Sequence, residues 1–241
     1  MSAKLTLEYD GTGFYGWAAQ PGRRTVEDEL SRALGVLLAE PPRLTVAGRT
    51  DAGVHAFGQV VSYEGPPPLL RSVNALLPHD VAVLAAEEAP AGFCARNDAL
   101  SRSYRYRIHT RRWGPSPFER QRALWWRHHA DVDALRACAA AVTGRHDFSA
   151  FTPSKAAHRT FTRTVFAASF EPAGADTLEL RIEANAFLHN MIRVLVATML
   201  EVAGERRTLE DFRSLLEGAP RSAAAATAPA HGLYLDSVRY A

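Results

Sequence analysis

Ala47-Gly48-Arg49-Thr50-Asp51-Ala52-Gly53-Val54-His55-Ala56 sets one carboxylate between two glycines, on a polar turn that joins two apolar runs. Leu44-Thr45-Val46 before it and Gln59-Val60-Val61 after it read as strands, and the glycines let backbone or ligand come close. Asp51 is therefore exposed but held. The residues alone leave two readings open: a turn whose aspartate bonds its own backbone, or an acid presented to a substrate from a loop on a rigid scaffold.

Outward from this turn the first hundred residues read as strand 4–9, helix 25–39, strand 43–47, strand 58–63, helix 69–77 and strand 81–88, the order β-α-β-β-α-β. Thr25 with Asp28 three residues later suits a capping box, and Val26, Leu30, Ala33, Leu34, Leu37 and Leu38 form one apolar face. Pro41-Pro42 stop that helix, and Pro66-Pro67-Pro68 mark the loop before the next. The second half repeats the order, with strand 123–127, helix 132–142, strands 161–170 and 177–183, helix 186–203 and a final strand 233–240. Leu209 to Leu216 adds a helical turn, and Ala223 to Ala228 reads as a connection. The expectation is an α+β chain of two ferredoxin-like (RRM-like) halves, residues 1–107 and 108–241, with antiparallel sheets side by side and an active cleft between them.

Gly11-Thr12-Gly13-Phe14-Tyr15-Gly16 follows a strand and matches the G-x-G-x-x-G spacing of dinucleotide-binding loops. The context contradicts that reading. A Rossmann helix begins within its glycines, but Pro21-Gly22 interrupt the chain, the amphipathic helix starts only at Thr25, and no acid closes the next strand. These glycines are expected to shape a turn beside the cleft, and no nucleotide cofactor is expected.

Composition, at 47% hydrophobic and 22% charged residues, is that of an ordinary globular chain. No apolar stretch reaches the about eighteen uninterrupted residues of a membrane span, and Met1-Ser2-Ala3-Lys4 lacks a signal-peptide pattern, so a cytoplasmic location is expected. Cys94 and Cys138 lie far apart and form neither a disulfide framework nor a zinc ligand set. The net charge of +2 hides a strongly uneven distribution: from Phe93 to His129 nine arginines stand against Asp98 and Glu119. Tyr104, Tyr106, Trp113, Trp125 and Trp126 are interleaved with them, flat faces that stack on unpaired bases while guanidinium groups hold phosphates. Arg105 and Arg111 are the candidate phosphate contacts within this segment.

Arg193 is set in Phe187-Leu188-His189-Asn190-Met191-Ile192-Arg193-Val194-Leu195-Val196-Ala197-Thr198-Met199-Leu200, apolar nearly all round beyond its start, as in a buried helix. Either its stem carries the charge to solvent or a carboxylate meets it inside, and the residues leave both open. In Tyr104-Arg105-Tyr106-Arg107 the strand period turns both tyrosines one way and both arginines the other. The histidines do not suggest a metal: Gly53 and the strand pattern argue against Asp51 and His55 as a helical ligand pair, and His128-His129 point to opposite faces. Nor does sequence place a second acid beside Asp51, as a two-carboxylate glycosidase requires.

Five segments in order, Tyr9 to Trp17, Gly48 to Ala56, Ser101 to Tyr106, Ala184 to Arg193 and Gly232 to Leu235, resemble the TruA family of tRNA pseudouridine synthases, and together they span almost the whole chain. The resemblance implies Asp51 as the catalytic aspartate, Arg193 as its partner, Tyr104 as the phenol that stacks on the target uracil, and Arg49 as the residue that helps hold the nucleotide out of the stack. It further implies isomerisation of uridine without a cofactor or a metal, at positions 38 to 40 of the tRNA anticodon stem-loop, by a homodimer whose basic grooves embrace the tRNA. His146-Asp147-Phe148 and His189 match family positions with no role given to them. The alternative class is a non-catalytic RNA-binding protein on two RRM-like halves, which lacks here an RNP1-like aromatic motif and leaves Arg193 without a purpose.

Overall fold

Ala3, Leu5, Leu7 and Tyr9 are buried at every second position of Ser2–Tyr9, and this period-two pattern makes β1 an interior strand. It pairs antiparallel with β3 (His55–Glu64) on one side and β4 (Val81–Ala89) on the other. The far edge of β3 is covered by two short pieces: β2 (Thr45–Val46) lies antiparallel opposite Ser62 and Val61. Leu233–Arg239, β10 of the chain, lies parallel with Tyr234 opposite His55. Between Leu7 and Tyr9 the pairing with β3 shifts, since the three residues Leu7 to Tyr9 of β1 lie opposite the four from Gln59 to Ala56. Such a bulge bends the strand and re-aims side chains, and this one stands where β3 leaves the Asp51 turn.

The computed structural model describes residues 1–154 and 160–241. Their contacts separate into two units, Met1–Arg102 with Tyr234–Ala241, and Ser103–Leu233. In the first, α1 (Val26–Leu38) buries Val26, Leu30, Ala33 and Leu34, and Thr25 caps it by accepting the Asp28 N–H. Leu37 is exposed, which narrows the apolar face expected from the sequence. The second helix, α2 (Leu70–Leu76), packs against β4 and α1.

The second unit is built on β5 (Ser101–His109), with β6 (Leu124–Trp125), β7 (Gly144–Asp147), β8 (Thr162–Pro172) and β9 (Thr177–Ala184) in the order β5-β9-β8-β7, and β6 parallel to β5 at Ile108 and His109. On it lie α3 (Val132–Val142), α4 (Met191–Ala203) and α5 (Leu209–Ser214), with α3 packed against β8, α4 and α5. Asp131 caps α3 through the Asp133 and Ala134 N–H groups, and Thr208 with Asp211 forms a full capping box on α5. Ten of the thirteen residues of α4 are buried, and its Thr198 hydroxyl is satisfied by donating to Val194 O at 2.8 Å.

The chain is thus mixed α+β with mostly antiparallel pairing. It departs from expectation in four places. The helix expected from 186 begins only at Met191, because Asn190 takes a left-handed conformation (φ 62°) that breaks helical hydrogen bonding before it. The polar strand β7 carries no apolar alternation to reveal it. The strands expected at 43–47 and 123–127 shrink to two residues each. Tyr234–Ala241, read from sequence as closing the second half, groups by its contacts with the first unit, where β10 lies parallel to β3.

Candidate active site

The Thr50–Gly53 turn is gripped by the glycine-rich segment that follows β1. The Trp17 N–H donates to Thr50 O at 3.0 Å, and the Gly53 N–H donates to Phe14 O at 3.3 Å. The Val54 N–H closes the turn on Asp51 O at 3.1 Å. Gly16 takes φ +95°, and a Cβ on it would stand 2.8 Å from Thr50 O and 3.2 Å from Ala52 N. A Cβ on Gly11 would strike the Val54 carbonyl. These glycines are therefore a scaffold for the Asp51 turn: only a bare Cα lets the two backbones come so close. A short 3-10 turn at Gly11–Gly13, capped by Asp10, takes the place of the helix a dinucleotide loop would open.

Beneath the turn lies a buried polar chain. Gln59 Oε1 accepts the Val60 N–H at 3.2 Å, which fixes the amide so that Nε2 donates to Gly48 O at 2.7 Å and to the Tyr9 hydroxyl at 3.3 Å. The Tyr9 and Thr50 hydroxyls share a further hydrogen bond of 2.7 Å. Burial pushes the Tyr9 phenol up to about 12, against the lowering effect of its bonds to Thr50 and Gln59, so it is neutral at working pH. Thr50 is buried, Asp51 half-buried and Arg49 exposed.

On the other side of Asp51 the turn runs into His55, buried, whose Nδ1 accepts the Gly11 N–H at 3.0 Å and lies 3.2 Å from Asp10 Oδ1. The same Nδ1 serves one of these partners at a time: unprotonated it takes the N–H, protonated it faces the carboxylate. Tyr234 stacks on the His55 ring (4.6 Å, 20°) and on Phe57 (5.1 Å, 8°).

In the second unit, Arg193 is half-buried on the first turn of α4. Its Nε donates to Ala228 O at 2.7 Å and its Nη1 to Asn190 Oδ1 at 2.9 Å, while its own carbonyl accepts the Ala228 N–H at 3.2 Å. The connection at Ala223 to Ala228 is thereby tied to the helix. Tyr104 is buried in β5 and meets Phe187 edge to face, centroids 5.0 Å apart. Tyr106, on the same face, is fully buried and donates to Pro229 O at 2.8 Å; burial raises its phenol. Gly232 passes against that ring, where a Cβ would lie 2.8 Å from it. His231 is held below the usual histidine range by burial first and by the Arg193 charge as well, against a raising backbone bond at Ala123. Arg105 is half-buried and Arg111 exposed, as strand alternation and loop position dictate.

A sequence profile described as tRNA pseudouridine synthase matches residues 138–241. The tRNA pseudouridine synthase A of Bacillus subtilis is 40% identical, covering 100% of this chain and 99% of the relative. The chain belongs to the TruA family of tRNA pseudouridine synthases. The enzyme of the same name from Frankia casuarinae is 41% identical over 98% of this chain and 88% of its own length, and that of Paraburkholderia phymatum 40% over 98% and 90%. Among solved structures, an archaeal box H/ACA sRNP Nop10-Cbf5 complex aligns with 83% of this chain and 43% of its own at 13% identity and a TM-score of 0.37, too slight a likeness to bear on fold or function.

In this member of the family, Asp51 and Arg49 share one turn of the first unit, and Tyr104, Arg105, Arg111 and Arg193 belong to the second. Among the described residues no three His, Cys, Asp or Glu side chains are grouped to hold a metal, and no helix is long and apolar enough to cross a membrane. Sequence reasoning missed the Gln59–Tyr9–Thr50 chain. Its signals were a lone amide inside the apolar run of β3 and a tyrosine at the buried parity of β1. Of the unassigned family positions, His146 Nε2 lies 3.1 Å from Thr143 O, Asp147 accepts the Ser149 N–H at 2.8 Å, and His189 is exposed.

Proposed function

We propose that this chain isomerises uridine to pseudouridine in tRNA, at positions 38 to 40 of the anticodon stem-loop, with Asp51 as the catalytic aspartate. The observation that carries the reading is the immobilisation of the Asp51 turn, held by the Gly11–Gly16 segment above and the buried Gln59–Tyr9–Thr50 chain below. A turn so fixed spends little free energy on ordering itself when the substrate arrives. Family membership supports the same assignment.

The reaction cuts the N-glycosidic bond, turns the uracil and rejoins it to C1′ through C5; the C5 hydrogen leaves as a proton and N1 ends protonated. No electron or group is lost, so the chemistry calls for no cofactor. A paired or stacked nucleotide hides its C1′, so the target flips into the site, with Arg49 stabilising the flipped state. Asp51 acts at the sugar, by attack at C1′ or by removal of the 2′ proton. Arg193 keeps Asp51 ionised and oriented, Tyr104 stacks on the base, and Arg105 and Arg111 hold phosphates. Two ferredoxin-like halves and a homodimer of cytoplasmic location complete the reading.

The test is incubation of the purified chain, with no addition, with an unmodified tRNA transcript, followed by pseudouridine mapping. Pseudouridine at positions 38 to 40 is the expected result. A transcript left unmodified, or modified only outside the anticodon stem-loop, contradicts the reading.

A further inference from the structure

We infer that the loop from Thr110 to Gln121 is a base-stacking arm, on which Trp113 and Phe118 take unpaired bases of the RNA; this rests on the tRNA reading above. Five aromatic residues are interleaved with the arginines of the basic segment, and the structure separates them. Tyr104 and Tyr106 are buried, and the half-buried Trp125 and Trp126 give their indole N–H groups to Arg111 O (2.9 Å) and His129 O (3.4 Å). Trp113 is 86% exposed, and so is Phe118, an aromatic the sequence pattern did not single out. Two large rings held in water are a binding feature when the backbone beneath them is ordered.

The loop is tied at both ends. The Thr110 N–H donates to Asp176 O at 2.8 Å, the Glu119 and Arg120 N–H groups both reach Ser116 O at 3.1 Å, and the Ala123 N–H reaches Glu119 O at 2.8 Å. Pro115 and Pro117 remove further freedom, so little conformational entropy remains to be lost on binding. Arg112 lies over the Trp113 ring at 4.8 Å from its centroid. Arg111, Arg112 and Arg120 are exposed, and the one carboxylate of the loop, Glu119, is held by Arg107 at 2.9 Å. Flat apolar faces set among surplus guanidinium charge fit a polyanion with exposed rings of its own, which is single-stranded nucleic acid. An isologous contact between two copies through this loop would instead bring the same arginines together across the axis.

The experiment measures binding of an unmodified tRNA transcript at several salt concentrations by the full chain and by Trp113→Ala, Phe118→Ala, the double variant, Trp113→Phe and Arg111→Ala, with thermal melts for folding and sedimentation for oligomeric state. Each aromatic-to-alanine change weakens binding by about 5- to 100-fold, and the slope of log affinity against log salt stays constant, because stacking releases no counterions. Trp113→Phe restores most of the affinity, and Arg111→Ala lowers the slope by about 1. A folded double variant that binds within about twofold of the parent overturns the stacking arm, and so does a loss of binding that tracks a change of oligomeric state, which makes the loop a self-association surface. A parent that binds no tRNA even at low salt overturns the tRNA reading itself, a result distinguishable from both.

Discussion

The Tyr9 and Thr50 hydroxyls meet at 2.7 Å, with both side chains buried and Asp51 the next residue in the chain. Removal of one oxygen from this pair, as in Tyr9→Phe, leaves Thr50 Oγ1 and one Gln59 N–H without a partner in a dry site. The expected loss is about 1–3 kcal/mol of stability, read from urea unfolding. On the proposed role of Asp51, turnover should fall while KM for tRNA holds, because the variant loosens the Asp51 turn and leaves in place the arginines proposed to hold RNA. Unchanged stability and turnover would remove Tyr9 from any positioning role.

Alkaline pH tests the same burial. The Tyr9 phenol is pushed from 10.0 to about 12 by desolvation, and Tyr63 likewise to about 12 by its burial. The folded state holds these protons more tightly than the unfolded chain, so their contribution to stability is whole below pH 10.0 and is lost as pH rises toward about 12. The tyrosinate absorbance of Tyr9 and Tyr63 should therefore appear together with unfolding, and the loss should be smaller in Tyr9→Phe. Reversible ionisation of every tyrosine near the ordinary value, with the fold intact, would contradict the burial.

Gly16→Ala probes the other side of the turn. At φ +95° the new methyl group is strained and stands 2.8 Å from Thr50 O, backbone that has no flexible end to move aside. The cost is of the order of 1–3 kcal/mol, and activity should fall steeply even at temperatures where circular dichroism shows a folded chain. Gly22→Ala, where nothing lies within 4 Å, is the matched control and should lose only stability. Equal activity in the two variants would detach Gly16 from the Asp51 turn.

The elements legible in the sequence are those whose signals are local. Residues 132–142 form α3 as read, with Asp131 as cap, and Thr25 with Asp28 marks the start of α1. The Asp51 turn was legible too, since glycines at 48 and 53 and the strands around it lie within a few residues of each other. What escaped depends on partners distant in sequence. Tyr9 and Gln59 are 50 residues apart, and only the fold of β1 against β3 brings them together. The same holds for β10, which pairs with β3 across nearly 180 residues of chain, and for the Ala228 connection, whose carbonyl holds Arg193. Asn190 in its left-handed conformation stopped a helix that the apolar pattern alone would have extended.

Arg193→Leu suits the apolar pattern of α4 but removes the donors to Ala228 O and Asn190 Oδ1. The variant should fold, with the 223–228 connection loosened in hydrogen exchange, and retain little isomerase activity. Arg193→Lys should keep only part of it, since an ammonium lacks the planar fork that serves several acceptors at once. Near-parental turnover by the leucine variant under saturating tRNA would disprove the proposed pairing with Asp51.

Release of tritium from C5 of labelled uridine in tRNA, compared between the parent chain and Asp51→Asn, measures the chemistry most directly, because formation of the carbon-carbon bond must expel that hydrogen. The amide keeps the size of the side chain but is a poor nucleophile and base, so tRNA should bind nearly as tightly while tritium release is abolished. Release by the asparagine variant at a rate close to the parent's, with reversion to aspartate excluded by mass spectrometry, would mean that Asp51 does not carry the reaction.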